Sequence, residues 1–223
     1  MDQMAKQTQS QRVRDLLEDA IVKGRFAPGD KLDTQALTHE FFCSRTPLRD
    51  ALQQLEASGL VRIAPKQGTF VSQLDMSQLA ERFEVMSEIE GICARLAAQR
   101  ITPDELSQLS QAHEACRIQL EAGDIDAYYY ENTIFHNCIY QASHNTFLAQ
   151  EATRLHALLH PYRRMQLKLR NRMRDSLKEH ELIVECIRLG DGEAAMATIK
   201  SHVQIQGDGF NDFLASLRTM PNS

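Results

Sequence analysis

With 223 residues and 43% hydrophobic content, the chain is long enough for one large or two small domains with packed cores. No apolar run approaches the ~18 residues of a membrane span, and the polar start MDQMAKQTQSQR lacks the apolar centre of a secretory signal, so a cytoplasmic protein with no membrane partner is expected. Five scattered cysteines without a C-x-x-C pair argue against a thiolate zinc knuckle and a disulfide framework, and the net charge of −5 is uneven, with 10 Lys/Arg and 9 Asp/Glu in residues 1–72 but 15 and 21 in residues 73–223.

Residues 10–24 place Val13, Leu16, Leu17, Ala20 and Ile21 at helical spacing, with Gly24 as a stop and Phe26-Ala27-Pro28-Gly29-Asp30 as a turn. A second helix is expected from an N-cap at Asp33 or Thr34 to Phe42. A third starts at Ser44 or Thr46, carries the core stripe Leu48, Ala51, Leu52 and Leu55, and ends at Gly59. Val61–Ile63 and Thr69–Val71 read as two short strands around the tip Pro65-Lys66-Gln67-Gly68. Beyond Asp75 the strand signals vanish. Helical patterns cover 76–100, 103–122, 125–142, 146–169, 172–189 and 192–216, broken by the capping box Thr102-Pro103-Asp104-Glu105 and by Gly123-Asp124 and Gly190-Asp191. The expected fold is mainly α: an N-terminal winged helix-turn-helix with a two-stranded wing over residues 1–72, a linker at 73–75, and an all-α helical bundle over 76–223.

A short helix followed by a hairpin wing is a device for reading duplex DNA. In the third helix Thr46, Arg49 and Gln53 lie on an arc away from the leucine stripe, and Arg45 sits in the first turn. A helix-turn-helix puts the front of its second helix into the major groove, where arginine can take guanine O6 and N7 together. The Ser44 and Thr46 hydroxyls suit phosphate oxygens or base edges. Lys66 and Gln67 place polar donors on the wing, and Gly68 permits close backbone approach. Taken alone, Arg45 and Arg49 would be ordinary solvated charges; the surrounding pattern reverses that.

That pattern resembles the winged-helix domain of bacterial GntR-type transcription regulators. The matching residues are Gly24, Pro28-Gly29, Leu32, Ser44-Arg45-Thr46-Pro47-x-Arg49-x-Ala51-Leu52-x-x-Leu55, Gly59-Leu60-Val61 and Gly68-x-x-Val71. The resemblance implies operator contacts from Arg45, Thr46 and Arg49, with Gly68 at the wing tip. Gln35 stands where a charged residue, often arginine, is common in the relatives.

In the bundle, Asn132 and His136 are four apart and share a helix face. His180 lies on the stripe Leu177, Val184, Ile187, and His202 on the stripe Ala195, Ile199, Ile205. A single histidine on an apolar face is more often a hydrogen-bonded core residue. Three of them with an asparagine, from three helices, are satisfied together by one shared metal ion. Imidazole donors suit Zn, Ni, Cu and Fe. His39, His113, His144, His156 and His160 show no such convergence. The plain reading of the basic run Arg163, Arg164, Lys168, Arg170, Arg172, Arg174, Lys178 is a solvated helix face. The alternative is that one or two of its arginines hold a carboxylate in a ligand pocket.

Residues 75–218 resemble the FCD effector domain of the FadR-like branch of the same family, on Leu96-Ala97-Ala98, Phe135-His136, Glu179-His180, Ile187-x-x-Gly190-Asp191, Ala194-Ala195 and His202. The resemblance implies a divalent metal, Zn or Ni first among candidates, on Asn132, His136, His180 and His202, and a small acidic effector. Met86 stands where many relatives carry an arginine. The expected function is a ligand-responsive repressor, binding double-stranded operator DNA as a homodimer. The competing reading is a metal-dependent enzyme using the three histidines to activate water. Against it, no general base stands at a telling spacing, and no G-x-S-x-G, P-loop or dinucleotide fingerprint is present.

Overall fold

The computed structural model describes residues 8–204, which divide at Leu74/Asp75 into two compact units. In the first unit, α1 (Gln9–Val22) opens on a capping box at Thr8, whose hydroxyl accepts from Gln11 N–H while the Gln11 side chain accepts from Thr8 N–H. The strand β1 is Lys31–Leu32, and α2 (Thr34–Glu40) starts at Asp33, which caps Gln35 and Ala36. The third helix, α3, runs Arg45–Ala57. The wing follows as β2 (Val61–Ala64) and β3 (Gly68–Val71). Val13, Leu17 and Ile21 of α1 meet Leu48, Ala51, Leu52 and Leu55 of α3 in one core, closed by Leu32, Leu37, Leu60, Val61 and Val71. The α3 stripe expected from the sequence is therefore buried, whereas Leu16 of the α1 pattern is exposed.

The wing has three strands, not two. The sheet order is β1-β3-β2, with Lys31 opposite Phe70 and Leu32 opposite Thr69. Two residues carry no period-2 signal, so β1 is invisible to pattern reading; its pairing with β3 creates it. At the tip, Gln67 N–H donates to the Ala64 carbonyl and Lys66 takes φ +63°, a left-handed residue after Pro65.

The second unit comprises α4 (Met76–Arg100), α5 (Pro103–Ala122), α6 (Ile125–Ala142), α7 (Thr146–Gln166), α8 (Arg172–Arg188) and α9 (Gly192–Val203). The breaks fall where capping residues stand: Asp75, Thr102, Asp124, Asn145 and Asp191 each accept from a first-turn N–H. The helix α4 packs against α6, α7, α8 and α9, and α5 against α6 and α8. Close approach of α9 to α4 depends on Gly192, where a Cβ would stand 3.0 Å from the Arg95 carbonyl oxygen. Two boundaries differ from expectation. The seventh helix stops at Gln166 and passes through buried Pro161 without ending. The last expected helix is seen over Gly192–Val203; its remainder to residue 216, with Ile205, lies outside the described residues. Among the described residues no helix is long and apolar enough to cross a membrane.

Candidate nucleic-acid interface and metal centre

In the first unit, burial of the leucine stripe turns the opposite face of α3 outward. Ser44, Arg45, Thr46, Arg49 and Gln53 all lie on the solvent side of that helix, none of them buried. Ser44 occupies the N-cap position without accepting a capping hydrogen bond. Arg45, Thr46 and Arg49 border a groove with Thr34, Gln35 and Thr38 of α2 and Ile63 and Thr69 of the sheet. Lys66 and Gly68 border a second depression together with Lys31 and Gln67. Lys31 is a residue sequence reasoning missed. Its side chain crosses Gly68 so closely that a Cβ there would lie 2.9 Å from Lys31 Cε. Lys31 Nζ and Arg62 Cζ also flank the Phe70 ring, at 5.9 and 5.1 Å from its centre. Both cations sit opposite Phe70 in the ladder, a relation that only the three-stranded register reveals.

In the second unit, α6, α8 and α9 bring His136, His180 and His202 together, each with one donor nitrogen within 4.8 Å of the others. All three are buried. His136 and His202 stack with ring centres 5.1 Å apart, and His180 stacks on Phe135 at 3.9 Å. Asn132, one turn before His136, is also buried and borders the same cavity as His202.

Two carboxylates orient the rings. His136 Nδ1 lies 2.5 Å from Glu90 Oε2, and His202 Nδ1 lies 2.6 Å from Glu179 Oε2. Each carboxylate accepts the Nδ1 proton, so each Nε2 carries a lone pair. Those two Nε2 atoms stand 3.2 Å apart. Both ring nitrogens of His180 are buried without a hydrogen-bond partner. Burial pushes all three imidazoles below the ordinary histidine value, most strongly for His180 and His202, so they are neutral at physiological pH. Burial would raise the Glu90 carboxyl, but His136 and the Arg163 guanidinium beside it hold it below the usual carboxylate range.

Neutral imidazoles with converging nitrogens, two of them held by carboxylates on the far nitrogen, are a donor set that suits a divalent transition metal. His136, His180 and His202 are the residues able to hold such an ion, with Asn132 beside them. Sequence reasoning missed Glu90 and Glu179 because neither stands at a fixed spacing from its histidine; α4 supplies Glu90 from 46 residues away. Both acids are engaged by Nδ1–H.

The solvated reading of the basic run fails at Arg163, which is 7% exposed and donates to Glu90 Oε1 at 2.8 Å. Arg172 is half-buried and donates to Glu179 and to the His202 carbonyl. Both arginines border the cavity that holds Asn132, Ser176 and His202, whose enclosed space is about 20 Å³, room for about one water. His156 and His160 come closer to the cluster than their sequence suggested, with the His156 ring centre 5.8 Å from that of His136.

The two families suggested by the residues are those whose sequence patterns match. Residues 9–71 match the gntR family of bacterial regulatory proteins, and residues 81–205 match the FCD domain. The chain is a GntR-family transcription regulator with an FCD domain. This regulator is 27% identical to the HTH-type transcriptional repressor RspR of Escherichia coli, over 87% of its own length and 86% of that protein's. It is 28% identical to the HTH-type transcriptional regulator LutR of Bacillus subtilis, over 82% and 92%. Its fold is that of E. coli McbR/YncC, with a TM-score of 0.82, 23% identity, and coverage of 94% and 99%. The FCD match runs from within α4 to the end of α9 and covers the helices that build the histidine cluster.

Proposed function

We propose that this GntR-family regulator is a repressor that binds operator DNA as a homodimer. In this reading its FCD domain holds a divalent metal, Zn or Ni, on Asn132, His136, His180 and His202, and answers to a small carboxylate effector. The observation that carries the metal reading is the pair of opposed Nε2 atoms of His136 and His202, 3.2 Å apart with both Nδ1 protons committed to carboxylates. The lone pair of His136 is served by Arg163 Nη2–H, and a divalent cation between the rings would be bound by both Nε2 atoms. A bound divalent ion would supply Lewis-acid positions for an oxygen anion. Asn132 would complete the ligand set without adding charge, so the ion keeps its full attraction for an anionic ligand. The outward row Arg45, Thr46, Arg49 and Gln53, with Ser44, Lys66 and Gly68, supports major-groove reading by α3 and backbone contacts from the wing. A two-fold operator needs two such heads, which is the ground for a dimer. Repression follows the printed role of RspR as a repressor, and relief by the effector is the further part of this reading.

The engagement of Glu90 and Glu179 by imidazole Nδ1–H favours a holding role over general-base chemistry. The deciding experiment is gel shift on DNA upstream of the regulator's own gene, with zinc-loaded protein and a panel of small organic acids. The expected result is a specific shift that one class of acid abolishes. No shift at low salt on any fragment overturns the proposal.

A further inference from the structure

Arg163 of α7 spans the two groups that hold the centre of the cluster. Its Nη1 donates to Glu90 Oε1 at 2.8 Å, and its Nη2 donates to His136 Nε2 at 3.0 Å. The second bond uses the lone pair with which His136 would bind a metal. A neutral imidazole has one such acceptor nitrogen. An ion at the ~2.0–2.1 Å of a Zn–N bond leaves no lone pair for an N–H donor. Metal and guanidinium therefore exclude each other at this atom. We propose that Arg163 is the internal competitor of the metal for His136 Nε2, and that metal binding frees its guanidinium to receive an anion in the adjoining cavity. This rests on the metal reading above.

The cavity chemistry fits the second half. Arg163, Arg172, Asn132 and Ser176 border it, and no carboxylate is among its lining residues. Arg172 is tied to Glu179 and to the His202 carbonyl, so Arg163 is the cation whose bonding the metal changes. The space is too small for an organic ligand without side-chain movement, and Arg163 is the wall residue that metal binding dislodges. Once displaced, Nη2–H gives up its imidazole acceptor and meets only neutral groups at the cavity wall, Tyr129 OH, Ser176 Oγ and the Asn132 amide among them, which serve a buried guanidinium less well than an anion. A carboxylate restores the bond as a charge-assisted pair. Metal and anion then favour each other's binding, and by linkage the coupling is reciprocal.

Cobalt(II) titration of metal-stripped full-length protein tests this, comparing wild type, Arg163→Met and the double variant Glu90→Gln/Arg163→Met. The double variant removes the ion pair as a neutral unit, and the amide carbonyl that replaces the Glu90 carboxylate still accepts from His136. It is expected to bind cobalt about tenfold tighter than wild type. Acetate added to the cobalt-loaded proteins is expected to perturb the cobalt spectrum at about tenfold lower concentration in wild type than in the double variant. A double variant no tighter than wild type overturns the competition, including the case where only Arg163→Met gains, because charge removal then accounts for it. Equal acetate sensitivity overturns the anion half. Failure of wild type itself to bind cobalt overturns the metal reading instead. If a variant loses its helical circular dichroism, the Arg163 Nη NMR signals of wild type decide: they should shift on zinc addition, and unchanged signals refute the proposal.

Discussion

His136 and His202 face each other Nε2 to Nε2 at 3.2 Å, each ring held from behind by a carboxylate, Glu90 for one and Glu179 for the other. Arg163 Nη2–H donates to the His136 lone pair, and a divalent ion between the rings would serve both Nε2 atoms at once. Thermal unfolding should therefore respond to metal. At about 100-fold excess over Kd, a metal bound only by the folded state adds ~2.7 kcal/mol, or roughly 5–10 °C in Tm. Zinc or nickel is expected to raise Tm by this order and a chelator to reverse it. His180→Ala should remove the metal-dependent increment, measured by differential scanning fluorimetry. An increment that survives in His180→Ala would place the metal elsewhere.

Asn132 gives a prediction of opposite sign to most ligand mutations. Asn132→Asp adds a negative charge beside His136, and carboxylate oxygen is a stronger donor to a divalent ion than an amide oxygen. Metal affinity should rise by about tenfold or more, and sensitivity to an anionic effector should fall as the ion's charge is partly neutralised. Competition against a chromogenic chelator measures the first. Equal or weaker metal binding in Asn132→Asp would remove Asn132 from the ligand set.

Arg49 is exposed on α3, and its acidic neighbour Asp50 is 3.9 Å away, too far for a firm pair. Arg49→Ala should leave the helical circular dichroism and Tm unchanged, because exposed substitutions shift stability by less than about 0.5 kcal/mol. Operator-specific affinity should fall by about 1–3 kcal/mol, while affinity for unrelated DNA changes little. An equal loss on both kinds of DNA would make Arg49 a phosphate contact, not a base reader.

The elements and the histidines were legible in the sequence because their signals are local. The stripe Leu48, Ala51, Leu52, Leu55 repeats at helical spacing, Asp33, Thr102, Asp124 and Asp191 announce helix starts, and His136, His180 and His202 each lie on an apolar face. The relations that decide the chemistry were not legible because they are tertiary. Glu90 reaches His136 across 46 residues and Arg163 reaches Glu90 across 73. Arg163 looked solvated because it sits in a run of other cations, and only the packing of α7 on α4 buries it. The strand β1 was missed for a similar reason: Lys31–Leu32 becomes a strand only by pairing with β3.

His160 carries a pH signature. Burial, with a smaller contribution from Arg163, pushes its imidazole down to about 3, and its Nδ1 has no hydrogen-bond partner. The unfolded chain takes up a proton near pH ~6.5 and the folded chain does not, so His160 favours unfolding as pH falls from about 6.5 toward 3. Stability is unaffected by this group above that range and declines within it, by up to about 1.4 kcal/mol per pH unit. In urea titrations with chelator present, His160→Gln should lose less stability than wild type between about pH 7.5 and 5. Parallel losses would mean that His160 is charged in the folded protein.

Phe42 stores backbone strain in the turn between α2 and α3. Its φ is +50°, the left-handed region, and its ring is 84% exposed. A side chain in this conformation costs about 1–2 kcal/mol, and glycine avoids it. The glycine's greater freedom in the unfolded chain returns about 0.5–1 kcal/mol of that gain. Because the ring is largely in water, its removal forfeits little packing. Phe42→Gly should therefore stabilise the first unit by about 0.5–1 kcal/mol, read as a higher urea midpoint with an unchanged slope. A lower midpoint would show that the ring is covered in solution, and its concentration dependence would then say whether a second copy covers it.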